Sequence, residues 1–185
     1  MYGLVNQAVE DLISEQFGRE TWEKVKAQAG VSEEAFVSMA AYPDEVTYRL
    51  VAAASDVLQL PSDTLLEAFG EYWTLYTGRR GYGAMFDRGG ATFAEFMTNL
   101  HKLHTHVSAS FPNLQPPSFW CTDVADGYLR LHYQSTRTGL APMVVGLIKG
   151  LGNRYATSVR VHHVRAAADA GHDEFDVWFG AAADA

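Results

Sequence analysis

Two residue patterns in this 185-residue chain have types and spacing suited to chemistry. In the first, Phe93, Met97, Leu100, His104, Val107 and Phe111 recur at alternating spacings of four and three, which puts them on one stripe of a helix. At about 100° of rotation per residue, His104 stands mid-face, His101 lies roughly 60° off on the rim, and His106 points nearly opposite. A histidine so placed is either a core residue satisfied by backbone or water, or a neutral imidazole that ligates a metal. Zinc would need three or four protein ligands, and no HExxH or CxxC spacing supplies them. His162 and His163 are neighbours on a predicted strand, face opposite sides, and make a poor chelating pair. Heme brings four nitrogens of its own and needs one axial ligand, so a single histidine in an apolar surround suits it.

The second pattern is Tyr133, Ser135 and Arg137, which strand alternation puts on the face of Leu129 and Leu131. The face begins apolar and ends in a phenol, a hydroxyl and a guanidinium, within about 14 Å at roughly 3.4 Å per residue. Such a cluster either marks a strand running out into solvent or binds carboxylates, which arginine grips bidentately. The two propionates on a heme edge are anions of that kind.

Elements must position these groups. Val5, Val9, Leu12 and Ile13 predict a first helix that stops near Gly18, and a short helix over Thr21–Ala29 ends at Gly30. Asp44 and Ser62 are read as N-caps of helices running towards Leu58 and Tyr76, Asp44 as a cap rather than a partner of Arg137. Glycines at 78–83 and 89–90 mark loops, and Thr92 opens the histidine helix, which ends before Pro112. Beyond Pro116–Pro117 the texture changes. Phe119–Val124 and Tyr128–Ser135 read as strands joined at Asp126–Gly127, Gly139–Tyr155 as a helix, and Thr157–Val164 with Phe175–Phe179 as a second strand pair. The class is α+β: a helical part over about 1–111, then an α/β part over about 112–180 with a small antiparallel sheet and one crossing helix. The change near Pro116 is either a domain boundary or a seam where two parts of a single unit over 1–185 meet over a ligand. The residues 181–185 are expected to fray, and the glycines of GLIKGLG are read as helix packing.

A net charge of −8 argues against nucleic acid and against acidic membrane surfaces. No apolar run approaches membrane-spanning length, and acids in the first turns exclude a signal peptide. The lone Cys121 fits a reducing cytoplasm and is either a small core residue or a redox sensor.

The chain resembles the H-NOX family of heme nitric oxide/oxygen-binding domains, which includes the heme domain of soluble guanylate cyclase, and resembles its stand-alone bacterial and cyanobacterial members. The stretches that carry the resemblance are MYGLVN at the start, AFGEYW at Ala68–Trp73 and EFMTNLHKLHTHV at Glu95–Val107, then FPNLQPPSFWCTD at Phe111–Asp123 and LHYQSTRTGLAPMVVGLIKGLG at Leu131–Gly152. The resemblance implies heme b (iron protoporphyrin IX) between the two parts, with His104 as the iron ligand and Tyr133, Ser135 and Arg137 on the propionates. By the same likeness Pro117 presses on the porphyrin, and Leu100, Phe119 and Leu147 touch it. The family often has aspartate where His101 stands; helical angle and the spacing to Pro116–Pro117 both favour His104.

Oxygen binding in the family goes with a distal tyrosine, and Met143 takes that place here, with Trp73, Tyr2 and Val5 on the same side. A thioether donates no hydrogen bond, so the expectation is a sensor that binds nitric oxide and carbon monoxide and excludes oxygen. Trp73 is either core or a donor through its indole N–H. The resemblance further implies a switch in which His104 detaches, and a separate partner such as a histidine kinase or diguanylate cyclase. The rivals are a heme enzyme, which would need a distal acid–base pair, and a heme-free or heme-storing interaction module.

Overall fold

The computed structural model describes residues 1–77, 80, 83–110 and 114–181. Phe111, Pro112, part of the 78–83 loop and residues 182–185 lie outside the described residues. The helices are α1 (Gly3–Phe17), α2 (Arg19–Gln28), α3 (Asp44–Leu58), α4 (Ser62–Thr77), α5 (Gly83–Asp87), α6 (Phe93–Ser110), α7 (Ala141–Arg154) and α8 (Ala167–Ala170). The strands are β1 (Ser118–Ala125), β2 (Tyr128–Gln134), β3 (Thr157–Arg165) and β4 (Asp173–Ala181). Among the described residues no helix is long and apolar enough to cross a membrane.

The α+β expectation holds; β1, β3 and β4 run one or two residues past their expected ends, and β2 stops one residue short at Gln134. The sheet is antiparallel throughout in the order β1-β2-β4-β3, so the last strand inserts between the second and third. Its inner face is apolar: Leu129, Leu131, Phe175 and Val177 are fully buried against Val144, Ile148 and Leu151 of the crossing helix α7. Its outer face carries polar rows, among them Trp120–His132–Glu174–Arg165 and Thr122–Arg130–Asp176–His162. Both edge strands are interrupted, β1 by a register shift between Thr122 and Ala125 and β3 by one between His163 and Arg165.

A second apolar cluster lies among the helices, where Ala8, Val9, Leu12 and Ile13 of α1 meet Trp22, Val25, Leu50 and Phe69. The two cores join where α4 packs on α7. A Cβ on Gly146 would lie 1.9 Å from the Glu67 carbonyl oxygen, and one on Gly70 would lie 2.2 Å from that of Met143. The backbones are therefore in direct contact, and the packing role read for the GLIKGLG glycines is observed.

Two expected caps are corrected. Asp44 and Ser62 are the first helical residues, and the carbonyls of Pro43 and Pro61 accept the opening hydrogen bonds instead. The Asp44 carboxylate is drawn elsewhere, to Arg137. Thr92 does cap α6: its hydroxyl accepts the Glu95 N–H, while the Glu95 carboxylate accepts the N–H of Ala91, the residue before the cap.

Candidate functional site

One cavity of about 340 Å³ lies at the seam between the two cores, a size usual for small-molecule and cofactor sites. The residues that the resemblance puts around a heme and its gas ligand all line it: His104, Leu100, Pro117, Phe119, Tyr133, Ser135, Arg137, Leu147, Met143, Trp73, Tyr2 and Val5.

Helix α6 presents His104 inward while His101 and His106 are exposed, as the helical angles predict. His104 Nδ1 lies 3.0 Å from the Leu100 carbonyl oxygen. A carbonyl only accepts, so Nδ1 carries the proton and Nε2 keeps its lone pair. Among the described residues no hydrogen bond takes up Nε2. Burial, opposed by the Leu100 carbonyl and reinforced by nearby His101, holds the His104 imidazole below the usual histidine range. Phe119 packs beside it, ring centroids 5.2 Å apart, and stands equally close to Tyr133.

The polar rim sits across the cavity. Tyr133 is on β2, but Ser135 and Arg137 follow the strand's end at Gln134, a correction to the continuous strand face expected. Local hydrogen bonds gather them all the same: Ser135 Oγ accepts the Arg137 backbone N–H at 3.1 Å and is hydrogen-bonded to the Tyr133 hydroxyl. The Arg137 guanidinium donates from Nε and Nη2 to Asp44 at 2.8 and 3.3 Å, and from Nη1 to the Gln115 carbonyl at 2.8 Å. It thereby ties α3, the segment bearing Pro117 and the loop after β2 together. Three of its five N–H groups are engaged, leaving two for an incoming carboxylate. Burial works against the Asp44 carboxylate, yet hydrogen bonds from the Met1 amino group and Arg137 outweigh it and hold the group below the usual carboxylate range. Asp44 is thus the partner of Arg137 and not a helix cap. The carboxylate bridges positions 93 residues apart, a pairing that no local pattern signals.

The opposite wall is apolar. The sequence pattern of the family described as Haem-NO-binding matches residues 2–163. The chain belongs to this family. Soluble guanylate cyclase gcy-31 of Caenorhabditis elegans is 31% identical over 151 residues, which are 82% of this chain and 22% of that protein. Soluble guanylate cyclase gcy-35 of the same organism is 30% identical over 166 residues, 86% of this chain and 24% of that one. The chain therefore spans less than a quarter of the length of these curated relatives. The H-NOX protein from S. oneidensis in the Fe(II)NO ligation state superposes with a TM-score of 0.88 at 19% identity, covering 97% of this chain and 99% of that one. The unliganded Fe(II) H-NOX protein from K. algicida superposes at 0.86 with 18% identity and full coverage of both. The fold is that of the H-NOX domain, and the family is one of heme-binding gas sensors.

The H-NOX cavity also takes in Leu4, Thr74, Thr77, Phe86, Leu103 and Leu114, which pattern reading passed over. Leu103 stands about 100° from His104 around α6, outside the stripe that the periodicity picks out, and the threonines carry no signal either. Both threonine hydroxyls are spent on helix carbonyls, Thr74 on Glu71 at 2.9 Å and Thr77 on Trp73 at 2.7 Å. Trp73 lies in an aromatic row with Phe69 and Tyr76. Tyr155 does not line the cavity, and its hydroxyl donates to the Gly90 carbonyl at 3.1 Å.

Cys121 lies partly buried on β1, its Sγ 3.6 Å from the Met97 carbonyl oxygen. Burial pushes the thiol up to about 11, which fits a core residue better than a redox sensor. Alkylation by iodoacetamide is expected to be negligible at neutral pH and to rise with pH towards that value while the fold persists. A thiol that labels rapidly in the folded protein at pH 7 would contradict this assignment.

Proposed function

We propose that this chain is a heme-based gas sensor in which His104 holds ferrous heme b, and that it binds nitric oxide and carbon monoxide while excluding oxygen. The observation that carries the reading is the pairing of His104 Nε2, its tautomer set by Leu100, with the Tyr133–Ser135–Arg137 rim across one apolar cavity. These residues fit a porphyrin: a nitrogen with a free lone pair at the floor, donors for two carboxylates at the edge, and greasy walls between. When bound, the heme supplies an iron centre at which a diatomic gas can sit.

The chain's own groups do the rest. His104 is the ligand by its free Nε2. Ser135, Tyr133 and Arg137 anchor the propionate edge. Pro117, Leu100, Phe119 and Leu147, which line the cavity, would pack against a bound ring. Met143, Trp73, Tyr2 and Val5 line the gas side. Dioxygen gains more than nitric oxide or carbon monoxide from a hydrogen-bond donor, and Met143 offers none. Among the described lining residues there is no carboxylate and no second histidine, so a distal acid–base pair of the kind a heme enzyme needs has no candidate. Arg137, bonded to Asp44 of α3 and to the Gln115 carbonyl beside the Pro116–Pro117 segment, would couple any movement around His104 and Pro117 to α3. The whole chain acts as one unit, helical part and α/β part together, and its output is read by a separate cytoplasmic signalling protein such as a histidine kinase or diguanylate cyclase.

Absorption spectra of the ferrous protein test the reading. The Soret band is expected to shift under carbon monoxide and nitric oxide and to be the same under air as under argon. Met143→Tyr is expected to gain an air-dependent shift. An air-dependent shift in the wild type overturns the exclusion of oxygen, and protein that takes up no heme overturns the reading as a whole.

A further inference from the structure

The outer face of the sheet holds a side-chain cluster that the cavity does not use. Leu131 and Tyr133 of β2 point to the cavity, so His132 between them points to the opposite face. Glu174 of β4 is its direct partner across the ladder. His172 enters from the turn before β4, after Gly171 at φ +76°.

His132 Nδ1 lies 3.1 Å from His172 Nε2, and His172 Nε2 lies 3.3 Å from Glu174 Oε1. One ligand atom from each of the three residues lies within 4.8 Å of the others. Nitrogen and oxygen ligands about 2.0–2.1 Å from a tetrahedral zinc ion are about 3.3 Å apart, so two edges of the figure already have nearly the required length. Thr122 Oγ1 stands 2.8 Å from His132 Nε2. A hydroxyl accepting from Nε2–H turns the Nδ1 lone pair towards the cluster, the outer-shell arrangement that orients metal-binding histidines. Trp120 stacks flat on His132 at 5.0 Å and stands 5.1 Å from His172, walling one side.

We propose that His132, His172 and Glu174 form a divalent transition-metal site of the zinc class, with the fourth position left to water. Two imidazoles and one carboxylate favour zinc over calcium or magnesium, which prefer all-oxygen sets. Two guanidinium groups compete for Glu174. Arg130, 4.0 Å from Oε2, is neutralised by Asp176 at 2.9 Å. Arg165, 3.3 Å from Oε1, is more than half exposed and free to swing away when a cation arrives. The site would pin the entry of β4 to β2, on the face of the sheet away from the heme cavity.

The test uses the full, heme-loaded chain, stripped of loose metal with chelator and titrated with zinc chloride alone. One zinc per chain is expected by elemental analysis, with only nitrogen and oxygen neighbours at the zinc absorption edge. His172→Ala and Glu174→Gln are each expected to weaken binding by about 100-fold or more, and Thr122→Ala by about 10-fold to 100-fold. His162→Ala, which removes an exposed histidine of the same face, is expected to leave binding unchanged. An unchanged Soret band and circular dichroism show that each variant is folded. Absence of saturable uptake, sulfur at the zinc edge, full binding by His172→Ala, or an equal loss in His162→Ala would each overturn the proposal. The heme spectrum is read separately, so failure of the zinc site leaves the gas-sensor reading standing.

Discussion

His104→Gly is expected to emerge from purification nearly colourless, and to regain its Soret band when heme and free imidazole are supplied together. Among the described residues the substitution removes the one imidazole that lines the cavity, whose Nε2 lone pair is unspent. It leaves a hole of imidazole shape in an apolar wall, which the free base can fill. Glycine inside α6 costs about 1 kcal/mol in helix propensity, too little to unfold a domain held by two cores. Loss of colour then reports loss of the ligand rather than loss of the fold. His101→Gly and His106→Gly carry the same helix cost at exposed positions and are expected to keep their heme. A His104→Gly protein that keeps the native spectrum without imidazole would mean that the ligand is another residue.

The second large effect is expected at Gly146, where two opposing terms can be compared. Helix propensity alone makes Gly146→Ala stabilising by about 1 kcal/mol. The new methyl, however, would stand 1.9 Å from the Glu67 carbonyl oxygen and 2.8 Å from the Glu67 carbonyl carbon, both backbone atoms that no rotamer change can move. Overpacking of this kind costs about 3 kcal/mol at the upper end of its range, so the steric term wins and the sign reverses. For a chain of this length a net loss of about 2 kcal/mol lowers Tm by roughly 4–8 °C. Because α4 carries Trp73 and α7 carries Met143, both of which line the cavity, any separation of the helices also widens it there. Gly180→Ala, whose Cβ meets nothing within 4 Å, serves as the control. A thermal melt in which Gly146→Ala falls no further than Gly180→Ala would refute the close contact.

Short-range periodicity made much of this molecule legible. The α6 stripe alone oriented His104 inward and His101 and His106 outward, because a helix's angular increment is fixed by its backbone. The same holds for Leu129, Leu131 and Tyr133, whose alternation on β2 survives intact. What stayed hidden is what long-range pairing creates. The Arg137–Asp44 contact joins residues 93 apart, and capping preferences pointed Asp44 to the wrong role. His132 meets His172 across 40 residues only because β4 inserts beside β2. Reading β3 and β4 as a separate pair leaves these histidines unconnected.

The kinked borders of the sheet have a consequence for self-association. A β-sheet recruits another strand through an unbroken row of free N–H and C=O groups along its margin. Here β1 loses its rhythm after Thr122 and β3 after His163, while Arg160, His162 and Arg165 stud the far border. Neither margin offers a long, flat template, and bulges with charged side chains are how folded proteins discourage end-on stacking of sheets. Copies of the protein that meet at high concentration therefore do so along borders ill suited to fibril growth.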